Sequence, residues 1–245
     1  MKFKTIHYCW FGKNPKPELI LKCMKSWKKY CPDYEIIEWN EENFDINCCD
    51  YVREAYEAKK WAFVSDYCRF WVLYHHGGIY LDTDVELIKS LDNLDRTFVG
   101  FETIKGVNSG LVRGAEKGDM ICRKMLESYH NDHFRNSDES LNLMTVCVRE
   151  TNILCSLGMK LNNKIQKVEK TTIYPSDYFN PINHRTSNLE LTSNTVSIHH
   201  YAASWVDNKT KLKSKIYSTI YRLFGVNFVE KIKQLIGWKT GKQKD

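Results

Sequence analysis

Gly77-Gly78-Ile79-Tyr80-Leu81-Asp82-Thr83-Asp84 is the stretch that decides the fold. Ile79-Tyr80-Leu81 reads as a short apolar strand, and the glycine pair before it ends a preceding helix. The strand delivers Asp82 and Asp84 at its carboxyl end, where open α/β sheets place ligands. Two carboxylates flanking one residue can hold a hard divalent cation, Mg²⁺ or Mn²⁺, through oxygen, and that ion can bind a diphosphate. Taken alone the tripeptide is a weak signal, because about one Asp-x-Asp arises by chance in a chain of this length. Its neighbours decide.

Upstream, residues from about Glu54 to His76 read as one helix, with Trp61, Val64, Cys68, Trp71 and Val72 on a single face. Asp66 and Arg69, three apart, share a face as well. An exposed pair of this kind is worth little, but Phe63, Val64, Phe70, Trp71 and Val72 around it predict a largely buried helix. A buried ion pair beside a glycine turn and two carboxylates points to a site, and the Arg69 fork can serve sugar hydroxyls or a carboxylate. His75 and His76 fall at the helix end, where a capping role suits them. Further upstream, Thr5 to Trp10 reads as a strand, Leu19 to Trp27 as a helix stopped by Pro32, and Tyr34 to Trp39 as a second strand. This strand–helix–strand start predicts an open α/β sheet built from parallel strands.

Downstream, Phe98 to Phe101 and Ser109 to Val112 are strand candidates, and helices are expected at about 118–130 and 139–157. Thr195 to His200 reads as a late strand. Adjacent histidines at its end, His199 and His200, point to opposite faces, so one is placed to face the site and complete a metal shell begun by Asp84 with a neutral imidazole.

Composition narrows the class. The 245 residues are 42% hydrophobic and 27% charged, ordinary for a soluble globular protein with room for one large α/β domain. No run of about 18 uncharged apolar residues is present, and the first residues lack the apolar stretch of a secretory signal, so a cytoplasmic location is expected. Nine cysteines, an odd number with Cys48 and Cys49 adjacent and no CxxC pair, read as reduced thiols. The net charge of +6 is carried by the end of the chain, with ten Lys/Arg against three Asp/Glu from Asp207 to Asp245. A nucleic-acid enzyme is expected to carry its positive field on the catalytic body; this chain does not.

Taken in order, Ser65-Asp66-Tyr67-Cys68-Arg69 and Gly77 to Asp84 resemble the DXD sugar transferases, family 32 of the glycosyltransferases. Bacterial capsular-polysaccharide transferases and yeast α-mannosyltransferases belong to it, and large clostridial glucosylating toxins are more distant relatives. Ile6-His7-Tyr8-Cys9-Trp10-Phe11-Gly12, Ser26-Trp27, Pro32-Asp33-Tyr34-Glu35 and His199-His200-Tyr201 with Ser204-Trp205 look like that family's motifs in their respective places. The resemblance covers roughly residues 1–206.

It implies a GT-A type fold with a mixed, mainly parallel sheet, and hexose transfer with retention from a nucleotide sugar, a UDP-hexose by family analogy or else GDP-mannose. It further implies that Asp84 binds Mn²⁺ or Mg²⁺, with His200 or His199 as third protein ligand. Asp82 is then expected on the ribose and sugar of the donor, Asp66 and Arg69 on the transferred sugar, Trp10 near the nucleobase, and Asn108 in the sugar pocket. Ser204 and Trp205 are expected to close over the diphosphate. Many relatives carry Thr-Gly-Pro where this chain reads Thr151-Asn152-Ile153. The acceptor expected from the family is a glycan or lipid-linked oligosaccharide in surface polysaccharide synthesis.

Residues 207–245 form a basic, amphipathic tail, with Ile216, Ile220, Leu223 and Phe224 and then Phe228, Ile232, Leu235 and Ile236 at helical spacing among lysines. Two readings stand: a helix pair docked on the catalytic domain, or an interfacial anchor on an anionic membrane leaflet, the preferred one, which makes the enzyme peripheral on the cytoplasmic face. Two rival functions remain open: a haloacid-dehalogenase-type phosphatase with Asp82 as nucleophile, and a non-catalytic sugar- or membrane-binding protein.

Overall fold

The computed structural model describes residues 4–183 and 186–202, together with 219, 221, 223, 225 and 231. Ser204, Trp205 and nearly all of the basic tail lie outside the described residues. Two compact units are present, one made of 1–181 and 191–202, the other of 182–190 and 203–245. In the second, Ile182 and Leu189 form an antiparallel bridge and the Asn183 amide donates to Glu190 Oε1.

The first unit opens as the sequence predicts. Strand β1 (Thr5–Cys9) leads through helix α1 (Glu18–Tyr30) to β2 (Glu35–Trp39), which pairs parallel with β1. Two helices follow, α2 (Asp50–Glu57) and α3 (Trp61–His76). The single helix expected from Glu54 to His76 is therefore broken, at a turn where Lys59 adopts φ 56°. No glycine or proline marks that break. Its cause lies in packing: Tyr51, Val52 and Ala55 of α2 and Val64, Cys68 and Val72 of α3 are all fully buried in one cluster, so the chain turns to bury both faces.

Helix α3 ends at Gly77, whose N–H closes on Leu73 O at φ 69°. A side chain there would meet the backbone of Lys117 at 2.8 Å, so the position requires glycine on two counts. Strand β3 (Gly78–Tyr80) then pairs parallel with β1.

The remaining strands are β4 (Val85–Leu87), β5 (Phe98–Thr103), β6 (Gly106–Val107), β7 (Arg113–Ala115), β8 (Gln166–Val168), β9 (Thr171–Tyr174) and β10 (Ser197–His199). Eight of the ten form one sheet in the order β2-β1-β3-β7-β5-β9-β8, with β6 beside β5. From the pairings, β1, β2, β3, β5 and β9 run one way and β6, β7 and β8 the other, a mixed and mainly parallel α/β sheet. Strands β4 and β10 form a separate antiparallel pair with Val85 opposite His199.

Residues 109–111 form a turn, not the expected strand. The Asn108 side chain accepts from Gly110 N–H at 2.7 Å, and that local bond displaces strand pairing. Helices α4 (Met120–Glu127) and α5 (Val146–Ser156) complete the unit; α5 starts later than the expected 139.

Side chains of the central strands alternate between two cores. Ile6, Tyr8, Ile79 and Leu81 face one cluster with Trp27, Leu111 and Phe179, whereas Cys9 and Tyr80 face α2 and α3. Asp82, two residues beyond Tyr80, lies on the α3 side. That alternation brings the Asp-Thr-Asp tip onto the helix carrying Asp66 and Arg69. Helix α5 is fixed from below by Arg113, fully buried, whose Nε lies 3.0 Å from Glu150 Oε1.

Candidate active site at the Asp-Thr-Asp strand tip

Arg69 is the hub on the helix side. Its Nη2 lies 2.9 Å from Asp66 Oδ1 and 3.1 Å from Asp82 Oδ1. Its guanidinium stacks 4.8 Å from the centre of the Tyr80 ring, and the Tyr80 hydroxyl donates to Asp82 Oδ1 at 3.1 Å. Burial opposes its charge, but Asp82, Tyr80 and Asp66 together hold Arg69 firmly protonated.

Asp66 is enclosed. Burial pushes its carboxyl up to about 6, against the pull of Arg69 and of the Val146 N–H at the start of α5. Asp82 keeps 28% of its side chain open. The protein around the rest of it still raises its carboxyl above the usual range, with Arg69 and His199 opposing. Its backbone N–H donates to Gly110 O at 3.0 Å, and its Oδ2 rests directly on Gly110, where an added Cβ would come within 2.0 Å.

Asp84 faces the late strand. Its Oδ1 lies 3.0 Å from His199 Nε2, and its Oδ2 accepts the Ala202 N–H at 2.7 Å. Burial raises its carboxyl, yet His199 and that N–H hold it below the ordinary range. Burial likewise opposes charge on His199, but Asp84 and Asp82 draw it upward. The two strand-end histidines part as alternation requires: His200 Nε2 turns away to Glu86 Oε2 at 2.8 Å. His199 is therefore the histidine on the Asp84 side.

Asp82, Asp84 and His199 each offer a ligand atom, all within 4.8 Å of one another. Two carboxylates and one imidazole form a donor set suited to Mn²⁺ or Mg²⁺. The residues also fit by charge, since two carboxylates set close together favour a cation beside them. Among the described residues this is the one such group.

Asn108 is buried beside this cluster, its Oδ1 on Gly110 N–H and its Nδ2 on Glu102 Oε1 at 3.0 Å. Trp10 lies at the tip of the first strand region, its indole N–H on Asn14 O at 2.7 Å. It lines a cleft with Lys16, Glu38, Asn40 and Glu41. Lys16 Nζ lies 5.4 Å from the ring. The sequence reading missed Tyr80, whose hydroxyl and ring shape Asp82 and Arg69; the two-residue alternation with Asp82 was the available signal.

Residues 17–98 match the family model described as "Glycosyltransferase sugar-binding region containing DXD motif". Over 95 residues the chain is 35% identical to inositol phosphoceramide mannosyltransferase 3 of Schizosaccharomyces pombe (strain 972 / ATCC 24843), covering 37% of this chain and 26% of that protein. The chain thus spans about a quarter of the length of that curated relative. A solved structure titled PaToxG glycosyltransferase overlaps 62% of this chain and 68% of its own at a TM-score of 0.49 and 21% identity. Residues 17–98, which contain α3, Asp66, Arg69 and the Asp82-Thr83-Asp84 tip, are thus similar to the sugar-binding region of glycosyltransferases that contains a DXD motif.

Proposed function

We propose that the protein is a divalent-metal-dependent, retaining glycosyltransferase that moves a hexose from a nucleotide sugar to a glycan or lipid-linked oligosaccharide. The observation that carries this reading is the convergence of Asp82, Asp84 and His199 within 4.8 Å beside the buried Asp66–Arg69 pair. Asp84 and His199 would hold Mn²⁺ or Mg²⁺, with Asp82 shared between the ion and the donor. When bound, the ion supplies positive charge to the departing diphosphate.

The chain's own residues do the rest. Arg69, held in place by Asp66, Asp82 and the Tyr80 ring, offers fixed N–H donors to sugar hydroxyls. Asn108 lines the sugar side, and the Trp10 ring supplies a face for the base. The burial of Asp66 and Arg69 excludes water from behind the sugar, which strengthens each of these contacts. Ser204 and Trp205, outside the described residues, are assigned to the diphosphate by family resemblance.

A UDP-hexose is the favoured donor; the mannosyltransferase similarity supports GDP-mannose as the second. A phosphatase reading needs a further acidic pair for Mg²⁺, whereas among the described residues the one metal-ligating group is completed by His199. We assign residues 1–206 to the catalytic domain. The basic tail is assigned to an anionic membrane surface on the cytoplasmic side, and liposome binding with and without residues 207–245 tests it: equal binding discards the anchor. No helix among the described residues is long and apolar enough to cross a membrane.

The decisive experiment is a panel of nucleotide sugars with Mn²⁺, following nucleoside diphosphate release, with Asp84→Asn alongside. Release by the wild type and its loss in the variant supports the assignment. Equal release by both overturns it.

A further inference from the structure

Glu102 stands at the end of β5 and belongs to none of the sequence motifs. Its Oε1 accepts two hydrogen bonds, from Asn108 Nδ2 at 3.0 Å and from the Tyr201 hydroxyl at 3.0 Å. Its backbone carbonyl accepts from Asn180 Nδ2 at 2.9 Å, which pins the segment.

Each of the two donors leads to a different side of the site. Asn108 holds Gly110 N–H, and Gly110 is the surface on which Asp82 Oδ2 rests. Tyr201 packs edge-on against His199, ring centres 4.2 Å apart, and His199 reaches Asp84. Tyr201 also adopts φ 48°, a left-handed backbone that a bulky residue holds only when its surroundings enforce it. The hydroxyl bond to Glu102 and the adjacent Ala202 N–H bond to Asp84 are two of the contacts that do so. A carboxylate can only accept, so the Asn108 amide facing it has one orientation, Nδ2 toward Glu102 and Oδ1 toward Gly110.

We propose that Glu102 is a positioning residue whose single oxygen sets the Asn108 amide on the sugar side and the Tyr201–His199 pair on the metal side, fixing the two halves of the site relative to each other. The roles of those halves rest on the function proposed above. The bonding that joins them does not.

The test separates the two. Mn²⁺ binding is titrated by electron paramagnetic resonance without donor, nucleoside diphosphate binding by calorimetry with Mn²⁺ present, and folding by thermal melts. Glu102→Ala is expected to bind Mn²⁺ about 10-fold more weakly, the usual cost of losing a group that orients a metal ligand. It is also expected to raise the KM for the donor. Tyr201→Phe, which removes only the hydroxyl, should weaken Mn²⁺ binding and, at saturating Mn²⁺, raise the donor KM less than Glu102→Ala does. Glu102→Met removes the accepting oxygen at similar volume and carries the same measurements should the alanine variant fold poorly.

Wild-type Mn²⁺ affinity and donor KM in both Glu102 variants overturn the proposal. So does a loss of binding that merely follows the loss of folded protein. If the wild type cleaves no nucleotide sugar yet its Mn²⁺ affinity still falls in Glu102→Ala, the transferase reading fails and the positioning role stands. If the wild type turns over and the variants match it, the reverse holds.

Discussion

Arg69 Nη2 reaches Asp82 Oδ1 at 3.1 Å across the gap between α3 and the strand tip. The same nitrogen holds Asp66 at 2.9 Å, so one guanidinium partners two carboxylates. Removing it leaves Asp66 buried with its principal partner gone. Arg69→Ala should therefore destabilise the fold by about 3 kcal/mol, read from urea midpoints. Arg69→Lys keeps a charge but loses the fork; it should fold well and lose about 100-fold in nucleoside diphosphate release. A lysine variant of wild-type activity would show that planar donors are not needed.

The divergence of the two late histidines gives a second outcome. His199→Ala should weaken Mn²⁺ binding about 10- to 100-fold, because it removes a ligand atom facing Asp84. His200→Ala should leave Mn²⁺ affinity essentially unchanged, since His200 is engaged by Glu86. Chelation with EDTA should abolish donor cleavage, and added Mn²⁺ should restore it. Equal effects of the two alanine variants on the Mn²⁺ resonance would contradict the placement.

Gly110 is the third test. Its hydrogen is all that separates the turn from Asp82 Oδ2. Gly110→Ala should force that carboxylate off its seat and raise the donor KM, with about a 10-fold fall in kcat/KM or more. The circular dichroism spectrum should stay that of the wild type. An unchanged kcat/KM would mean that the Asp82 position has slack.

His7 supplies a pH dependence away from the site. Burial lowers its pKa from 6.5 to about 4, while its Nε2–H donates to Gly77 O and its Nδ1 accepts from Trp39 Nε1–H. The folded state thus resists protonation that the unfolded chain accepts. Stability from this group is complete above about pH 6.5 and is lost as pH falls toward about 4, by up to about 3 kcal/mol. His7→Gln should lessen the difference between urea midpoints at neutral and mildly acid pH. An identical difference in wild type and variant would exclude His7 as its source.

Much of this arrangement can be read along the chain, and the part that cannot has a physical reason. The tip at Asp82 and Asp84 is legible because a glycine pair, an apolar triplet and two acids fall in direct succession. Asp66 and Arg69 are legible because apolar neighbours surround a charged pair, which is uncommon on a surface helix. The break at Lys59 is not, since nothing in the local residues forbids helix there and tertiary burial decides. The turn at 109–111 is set by one side-chain bond from Asn108 that competes with the ladder. Glu102 carries no local signal at all: its partners lie 6 and 99 residues away.

Strand β4, which follows Asp84, shares its hydrogen bonds with β10 and, among the described residues, not with the eight-stranded sheet. Asp82 and Asp84 thus straddle a seam between two separately laddered pieces of backbone. A dication held by both would act as a rivet through that seam, and its binding free energy would add to whatever holds the β4–β10 ribbon closed. Amide hydrogens of the ribbon should then exchange more slowly once Mn²⁺ is added, while those of the central strands, already locked by their own ladder, should scarcely respond.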